Sequence, residues 1–274
     1  MKKTLAVLTI STFFIFYACK KTEKDVTVVD TELSEPEKLM VDSVNVSDSI
    51  TLSDSLKLKF SSKMLVFPTI TDEKLLDSIY FQNKNINDFS KNGLKSLAEK
   101  NKNNYFNNAK KDSEDWLSDI KFSQEWYTDT SMKLKGDLND YLHIQYFWST
   151  YEGGAHDNYS FTERVFDLKN NKKLELKDIT SMPERKIEEL LKKNIDKMNS
   201  GTTDENGTVK NSEMLLVDVI PANNSFYFDD KNLYFHYSPY EIAAFAAGDI
   251  VIPISWEELK GSLNPEFKKR MKIQ

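Results

Sequence analysis

One cysteine, Cys19, is all that 274 residues provide, so no intramolecular disulfide and no cysteine-built zinc site can form. Glycine (8) and proline (7) are scarce, which excludes a collagen-like or low-complexity chain. Basic residues are outnumbered: 37 Lys and Arg face 43 Asp and Glu, for a net charge of −6. A body of that sign lacks the basic footprint that phosphate binding needs, so nucleic acid is not an expected partner. No HExxH pair, no G-x-S-x-G elbow and no nucleophilic cysteine outside the first twenty residues is present.

What is plentiful is bulk. The chain has 17 Phe, 12 Tyr and 4 Trp, with 39% hydrophobic residues overall, enough to fill a core. Met1-Lys2-Lys3 forms a positive start, followed by thirteen apolar-rich residues from Leu5 to Tyr17, then Ala18-Cys19. As a helix that run spans roughly 20 Å, short of the ~30 Å hydrocarbon core, which fits a secretory leader better than a membrane span. The segment resembles a lipoprotein signal, although Phe16 stands where Leu is usual and Tyr17 where a small residue is usual. Residues 1–18 are expected to be a cleaved signal peptide and Cys19 the lipidated first residue of the mature chain. Removing Lys2 and Lys3 leaves 35 basic against 43 acidic residues, a net charge of −8. The expected location is the cell envelope, lipid-anchored outside the cytoplasm, on the periplasmic face or the surface of an outer membrane. Lys20, Lys21 and Lys24 after the cysteine favour the periplasmic face.

Residues 19–55 read as a polar tether rich in Thr, Ser, Asp, Glu and Lys, with alternation around Val41–Val46 that also permits an edge strand. About 210 to 220 residues remain for folding, one sizeable domain or two small intimate ones. Alternating stretches at Leu56–Phe60, Lys121–Leu134, Tyr141–Tyr151, Tyr159–Leu168, Leu174–Leu176, Ser225–Phe228, Leu233–Tyr237 and Ile250–Ile254 predict strands. Gly136–Asn139 is expected to turn the first long hairpin. Helices are predicted after Thr71, from about Ile86 to Leu117 with a break in the Asn-rich middle, after Pro183, and from Ser255 to Leu263. Strands mixed with a few helices and no βαβ rhythm give an α+β class, a largely antiparallel sheet with several packed helices. Residues 264–274 form a basic tail expected to be solvated.

Two motifs resemble a known family. Tyr151-Glu152-Gly153-Gly154-Ala155-His156 is followed by Phe166-Asp167-Leu168 and by Leu174-Glu175-Leu176-Lys177-Asp178. Further on come Tyr240-Glu241-Ile242-Ala243 and Ala246-Ala247-Gly248. Together they are similar to the RsiV/PdaC-type extracytoplasmic domain family, a domain of unknown function found in the lysozyme-sensing anti-sigma factor RsiV and beside the PdaC deacetylase domain. Residues 56–150 resemble its companion N-terminal domain and 151–263 the domain itself. The resemblance implies a non-catalytic recognition domain that binds a lysozyme-like protein or a peptidoglycan fragment. Neither a cytoplasmic sigma-binding segment nor a deacetylase domain is found, so only the recognition half is expected here.

The residues that such a role would place at a binding face are Tyr151, Glu152, Gly153, Gly154, His156, Tyr240, Glu241 and Gly248. Paired glycines allow a ligand to approach closely, but they also serve tight packing turns. His143 and His236 fall inside strands and read as ordinary sheet residues, and no metal or cofactor site is expected. Trp126, Trp148 and the Tyr cluster could stack on sugars, though aromatics in strands more often pack inward. The alternative to a binding protein is a cell-wall-directed hydrolase or metal enzyme, and a purely structural envelope subunit is a third reading. The anchoring expectation is checked directly: intact mass spectrometry should show loss of residues 1–18 and an acylated Cys19, and Cys19→Ala should release the protein from membranes.

Overall fold

Period-two alternation builds the first half of the fold. A computed structural model describes residues 39–274, so the leader, Cys19 and the tether up to residue 38 lie outside the described residues. A six-stranded sheet runs in sequence order through β1 (Asp42–Ser53), β2 (Leu56–Val66), β3 (Gln124–Leu138), β4 (Tyr141–Tyr151), β5 (Asn158–Asp167) and β6 (Lys172–Lys173). Every pairing is antiparallel except β2 with β3. That parallel step needs a crossover, supplied by α1 (Glu73–Ile79) and α2 (Lys91–Ser113). The chain continues through α3 (Leu176–Ile179), α4 (Glu184–Asn194) and the small hairpin of β7 (Thr203–Asp204) and β8 (Gly207–Thr208). A three-stranded antiparallel sheet follows, ordered β11 (Ile250–Ser255), β10 (Asn232–Tyr237), β9 (Phe226–Phe228), and then α5 (Trp256–Leu259) and α6 (Pro265–Met271). The class is α+β, as the mixture of alternation and helical spacing predicts.

The large sheet has a core on each face. Leu142, Ile144, Tyr146 and Phe166 point to one side, the same side as Leu58 and Phe60 of β2, where α1 and the Leu94, Ala98 and Phe106 face of α2 cover them. Tyr141 and Val165, each next in sequence to a residue of that core, point the other way. They meet Phe228, Phe235, Ile252 and Ile254 of the small sheet, Ile187 and Leu191 of α4, and Phe267 of α6. Successive side chains of a strand face opposite sides, so β4 and β5 feed both cores at once.

Local chemistry sets the element ends. Asp72 caps α1 by accepting from the Leu75 N–H at 2.8 Å. Ser90 caps α2, accepting from Gly93 N at 3.2 Å, and a Cβ at Gly93 would lie 2.3 Å from Asp88 Cγ, so only glycine fits there. The helix therefore starts at Lys91, later than expected, and runs unbroken to Ser113. Its asparagines sit mostly on the outer side while Phe106 anchors the inner one, so no break is needed. The β3–β4 turn falls at Asn139 and Asp140, with φ of 53° and 61°, not at Gly136–Asn139. Two left-handed residues match the twist of a tight hairpin, and Gly136 instead sits at a register shift within β3. Leu174–Leu176 is no strand: Glu175 begins α3, its own N–H bonding Asp178 Oδ2 at 2.9 Å.

Three boundaries differ from the sequence reading. The tether does not reach residue 55, because Asp42–Ser53 pairs along its length with β2 and buries Val44 and Val46. No break in the fold occurs at 150, since β4 crosses it and β5 continues the same sheet. The basic tail is packed rather than solvated. Pro265 at the first turn starts α6, Phe267 and Met271 are buried four residues apart, and Arg270 closes onto the β3–β4 turn. Its guanidinium reaches Asn139 O at 2.8 Å, Asp140 O at 3.0 Å and the buried Asp167 carboxylate at 2.7 Å, lying 3.9 Å over the Tyr141 ring.

Arg270→Ala leaves the Asp167 carboxylate buried beside an empty site and should cost about 3–5 kcal/mol. Arg270→Lys should recover little of this, because an ammonium cannot fork to three acceptors. Urea midpoints of the purified variants check both.

Candidate functional site

The loop from Tyr151 to Asp157 joins β4 to β5, and the loop from Ser238 to Asp249 joins β10 to β11. The fold brings the two together. The His156 ring stacks on Phe245 with centroids 3.8 Å apart and planes 15° apart, and Tyr240 Oη lies 3.3 Å from His156 Nε2. His156 Nδ1 is 2.7 Å from Asp157 O, which can only accept, so the proton sits on Nδ1 and Nε2 accepts from the Tyr240 hydroxyl. Tyr151 donates to Gly154 O at 3.0 Å, closing the turn on itself. Gly153 and Gly154 have φ of 90° and 113°, the left-handed side that a side chain would strain. Gly248 adopts φ 68°, ψ −155°, a region that only glycine enters freely, and it brings the loop against Tyr159.

Behind the loops the open face of the sheet is aromatic. Phe147, Tyr159 and Phe161 share one side of β4 and β5, with ring centroids 5.1 to 6.5 Å apart, and Tyr159 meets Phe245 edge-on at 5.7 Å. Tyr127 stacks on Tyr151 and donates to Asp157 Oδ2 at 2.9 Å. The surface then passes into a shallow depression of about 520 Å³ lined by Ser47, Ser49, Lys59, Ser61, Tyr127 and Asp129.

Of the residues singled out in the sequence, Tyr151, Gly153, Gly154, His156 and Tyr240 join this cluster, and Gly248 shapes it. Glu152 is an exposed neighbour. Glu241 is an exposed residue whose backbone N–H closes a turn onto Ser238 O at 3.1 Å. Tyr240 is unusual: a bulky residue at φ 68°, left 58% exposed. Sequence reasoning overlooked Phe147, Tyr159, Phe161 and Phe245. The signal for the first three was their odd-numbered spacing, which puts them on one side of paired strands.

His143 and His236 lie in strands, as read, but they share a carboxylate. Glu163, 1% exposed, holds His143 Nε2 at 2.6 Å, His236 Nδ1 at 2.8 Å and Gln145 Nε2 at 2.7 Å. His236 Nε2 lies 3.0 Å from Asp249 Oδ2. Burial alone would raise the Glu163 carboxyl, but the bonds from His143 and His236 outweigh it and hold the group at about 2. Burial would likewise lower the His236 ring, and the Asp249 and Glu163 bonds lift it to about 9. Two serines complete the join: Ser225 Oγ accepts from Glu163 N and Ser238 Oγ from Phe161 N, both at 2.9 Å. These N–H groups lie on the stretch of β5 beyond the reach of β6, which pairs only with Phe166 and Asp167. Glu163 is turned inward, so the arrangement ties the two sheets together. Among the described residues no three His, Cys, Asp or Glu side chains converge as a metal-ligand set.

Residues 176–257 match the family model described as "Protein of unknown function (DUF3298)". That span holds His236, Tyr240, Glu241, Gly248 and Asp249, and begins after the Tyr151–His156 loop. Two solved structures share the fold. A member of that family from Bacteroides fragilis NCTC 9343 superposes with a TM-score of 0.65 at 21% identity, covering 86% of this chain and 98% of its own. A DUF3298 family protein from Pseudomonas aeruginosa PAO1 gives 0.50 at 13% identity, covering 84% and 97%. No curated protein matches the chain.

The paired groups set a pH dependence. The His236 contribution is fully present below its ordinary value of 6.5 and is lost as pH rises through about 9. The Glu163 contribution is present above its ordinary 4.5 and is lost as pH falls through about 2. Thermal unfolding should therefore peak between these ordinary values and decline towards pH 9, and His236→Gln should flatten that alkaline decline. Calorimetry across the range checks it.

Proposed function

We propose that this chain is a non-enzymatic recognition protein, held outside the cytoplasm through a lipid on Cys19. Its aromatic face and the two joined loops engage a cationic, lysozyme-like protein. The observation that carries the reading is the Tyr240 cluster. A large ring is held in a strained conformation, braced by His156 and Phe245, and still presented to solvent. Exposed aromatics with restricted rotamers make effective contact anchors, because little side-chain entropy is lost on binding. Charge supports the same partner: the two loops contribute Glu152, Asp157, Glu241 and Asp249 and contain no Lys or Arg. The RsiV/PdaC-type resemblance of these loops points to a lysozyme-like protein in particular. Stacked rings also suit a sugar, so a peptidoglycan fragment is the second reading, favoured by the run of Phe147, Tyr159 and Phe161 beside Phe245.

Titrating the purified protein with hen lysozyme should give saturable binding that weakens with added salt, as steering between opposite charges requires. Tyr240→Ala should cost at least about 2 kcal/mol of that binding, and Glu152→Lys should slow association. A parallel titration with muropeptides separates the second reading from the first. No binding of either ligand below about 1 mM would refute the proposed role.

A further inference from the structure

The parallel pairing of β2 with β3 ends at Lys63 opposite Ser131, yet β2 runs on to Val66 and β3 to Leu138. Beyond that point β2 pairs only with β1 and β3 only with β4, so the two strands part and the sheet forks. A cavity of about 300 Å³ opens at the fork. It lies on the helix-covered side of the sheet, because Trp148, Met132 and Thr130 alternate away from the face that carries Phe147 and Tyr159. Gln82 and Asn83 from the turn after α1 and Asn101 from α2 close it from the other side.

The wall chemistry is narrow. Besides Ser131, whose side chain alternates towards the other face, it offers three side-chain amides, the hydroxyls of Ser62 and Thr130, the thioethers of Met64 and Met132, and one indole that is 36% exposed. No carboxylate lines it, and Lys63, the one ionisable lining residue, alternates towards the opposite face of β2. The polar groups are already aimed. Asn101 Nδ2 donates to Asn83 Oδ1 at 3.2 Å, and Thr130 Oγ1 donates to Ser62 Oγ at 3.0 Å. The first bond orients both amides and leaves the Asn83 NH₂ and the Asn101 carbonyl oxygen with capacity for a further partner.

We propose that this fork binds one uncharged sugar unit, free or at the end of a glycan, with its ring on Trp148 and its hydroxyls on Gln82, Asn83 and Asn101. Three features select that class. A hydroxyl both donates and accepts, which is what amides answer, whereas an ionised ligand finds no opposite charge in the wall. The apolar face of a sugar ring suits the Trp148 indole, which lines the cavity and is 36% exposed. The volume stands at the low end of small-molecule sites, ~300–1,000 Å³, so it admits one ring and not a chain. The site is on the side of the sheet opposite the proposed protein-binding face, so the two stand or fall separately.

Calorimetry and saturation-transfer NMR of the purified protein with glucose, N-acetylglucosamine, chitotetraose and adenosine test this. A Kd on the order of 1 mM is expected for a monosaccharide, or for chitotetraose alone if the sugar must be a glycan end. Trp148→Ala and Asn101→Ala should each weaken it by at least about tenfold, with circular dichroism confirming that each variant is folded. Tyr240→Ala, on the far side, should leave it unchanged. The proposal is overturned by no saturable binding up to about 50 mM sugar, by equal affinity in a folded Trp148 or Asn101 variant, or by preference for adenosine.

Discussion

A strand with too few neighbours governs this fold. β5 is paired with β4 along its whole length, but β6 reaches only its last two residues, so the Phe161 and Glu163 N–H groups have no ladder partner. Buried backbone donors must be satisfied. Here two serine hydroxyls that flank the small sheet do so, and the Glu163 side chain reaches past them to His236. The second sheet is thus hydrogen-bonded to the first through side chains where a continuous ladder would have left no room for a changed direction. Everything at the loop end follows from that join. With β10 held against β5, the loop after β10 arrives beside the loop before β5, and His156 can lie flat on Phe245.

The join is polar inside an otherwise apolar contact, which makes it exacting. Tyr227 stacks on His143 at 4.7 Å and Phe161 on His236 at 4.9 Å, so each imidazole is walled by a ring and aimed at one carboxylate. A carboxylate with three partners in such a place resists being moved, because any shift strands a charge. A rigid base of this kind suits a surface that must keep an exposed tyrosine in a conformation it would not choose unaided. Strain of this sort persists only where surrounding packing holds it.

The two faces of the large sheet carry different surfaces, and a separate binding role is proposed for each. The outward aromatic and serine-rich face is broad and shallow, the geometry of a surface for a folded partner. The fork between β2 and β3 is small, amide-lined and nearly uncharged, the geometry of a site for one small ring. Both arise from where strands stop pairing, at β5 in the first case and at β2 in the second.

Much of this could be read from residue order. Alternation along β3, β4, β5, β10 and β11 marked the strands, caps at Asp72 and Ser255 marked helices, and two short motifs 84 residues apart marked the loops that meet at His156 and Tyr240. Those are local properties, set by backbone sterics and by which side of a strand or helix each residue occupies. Other features had local signals too faint to decide. β1 carries few large apolar residues and gains its burial from β2 and α2, while α6 had Pro265, Phe267 and Met271 in place but looked like charge. What only the tertiary structure decided was partnership: that Glu163 sits between two histidines, that Arg270 closes on Asp167, and that β2 parts from β3. Such contacts depend on how far each strand stays paired, a balance struck between distant segments and absent from any one of them.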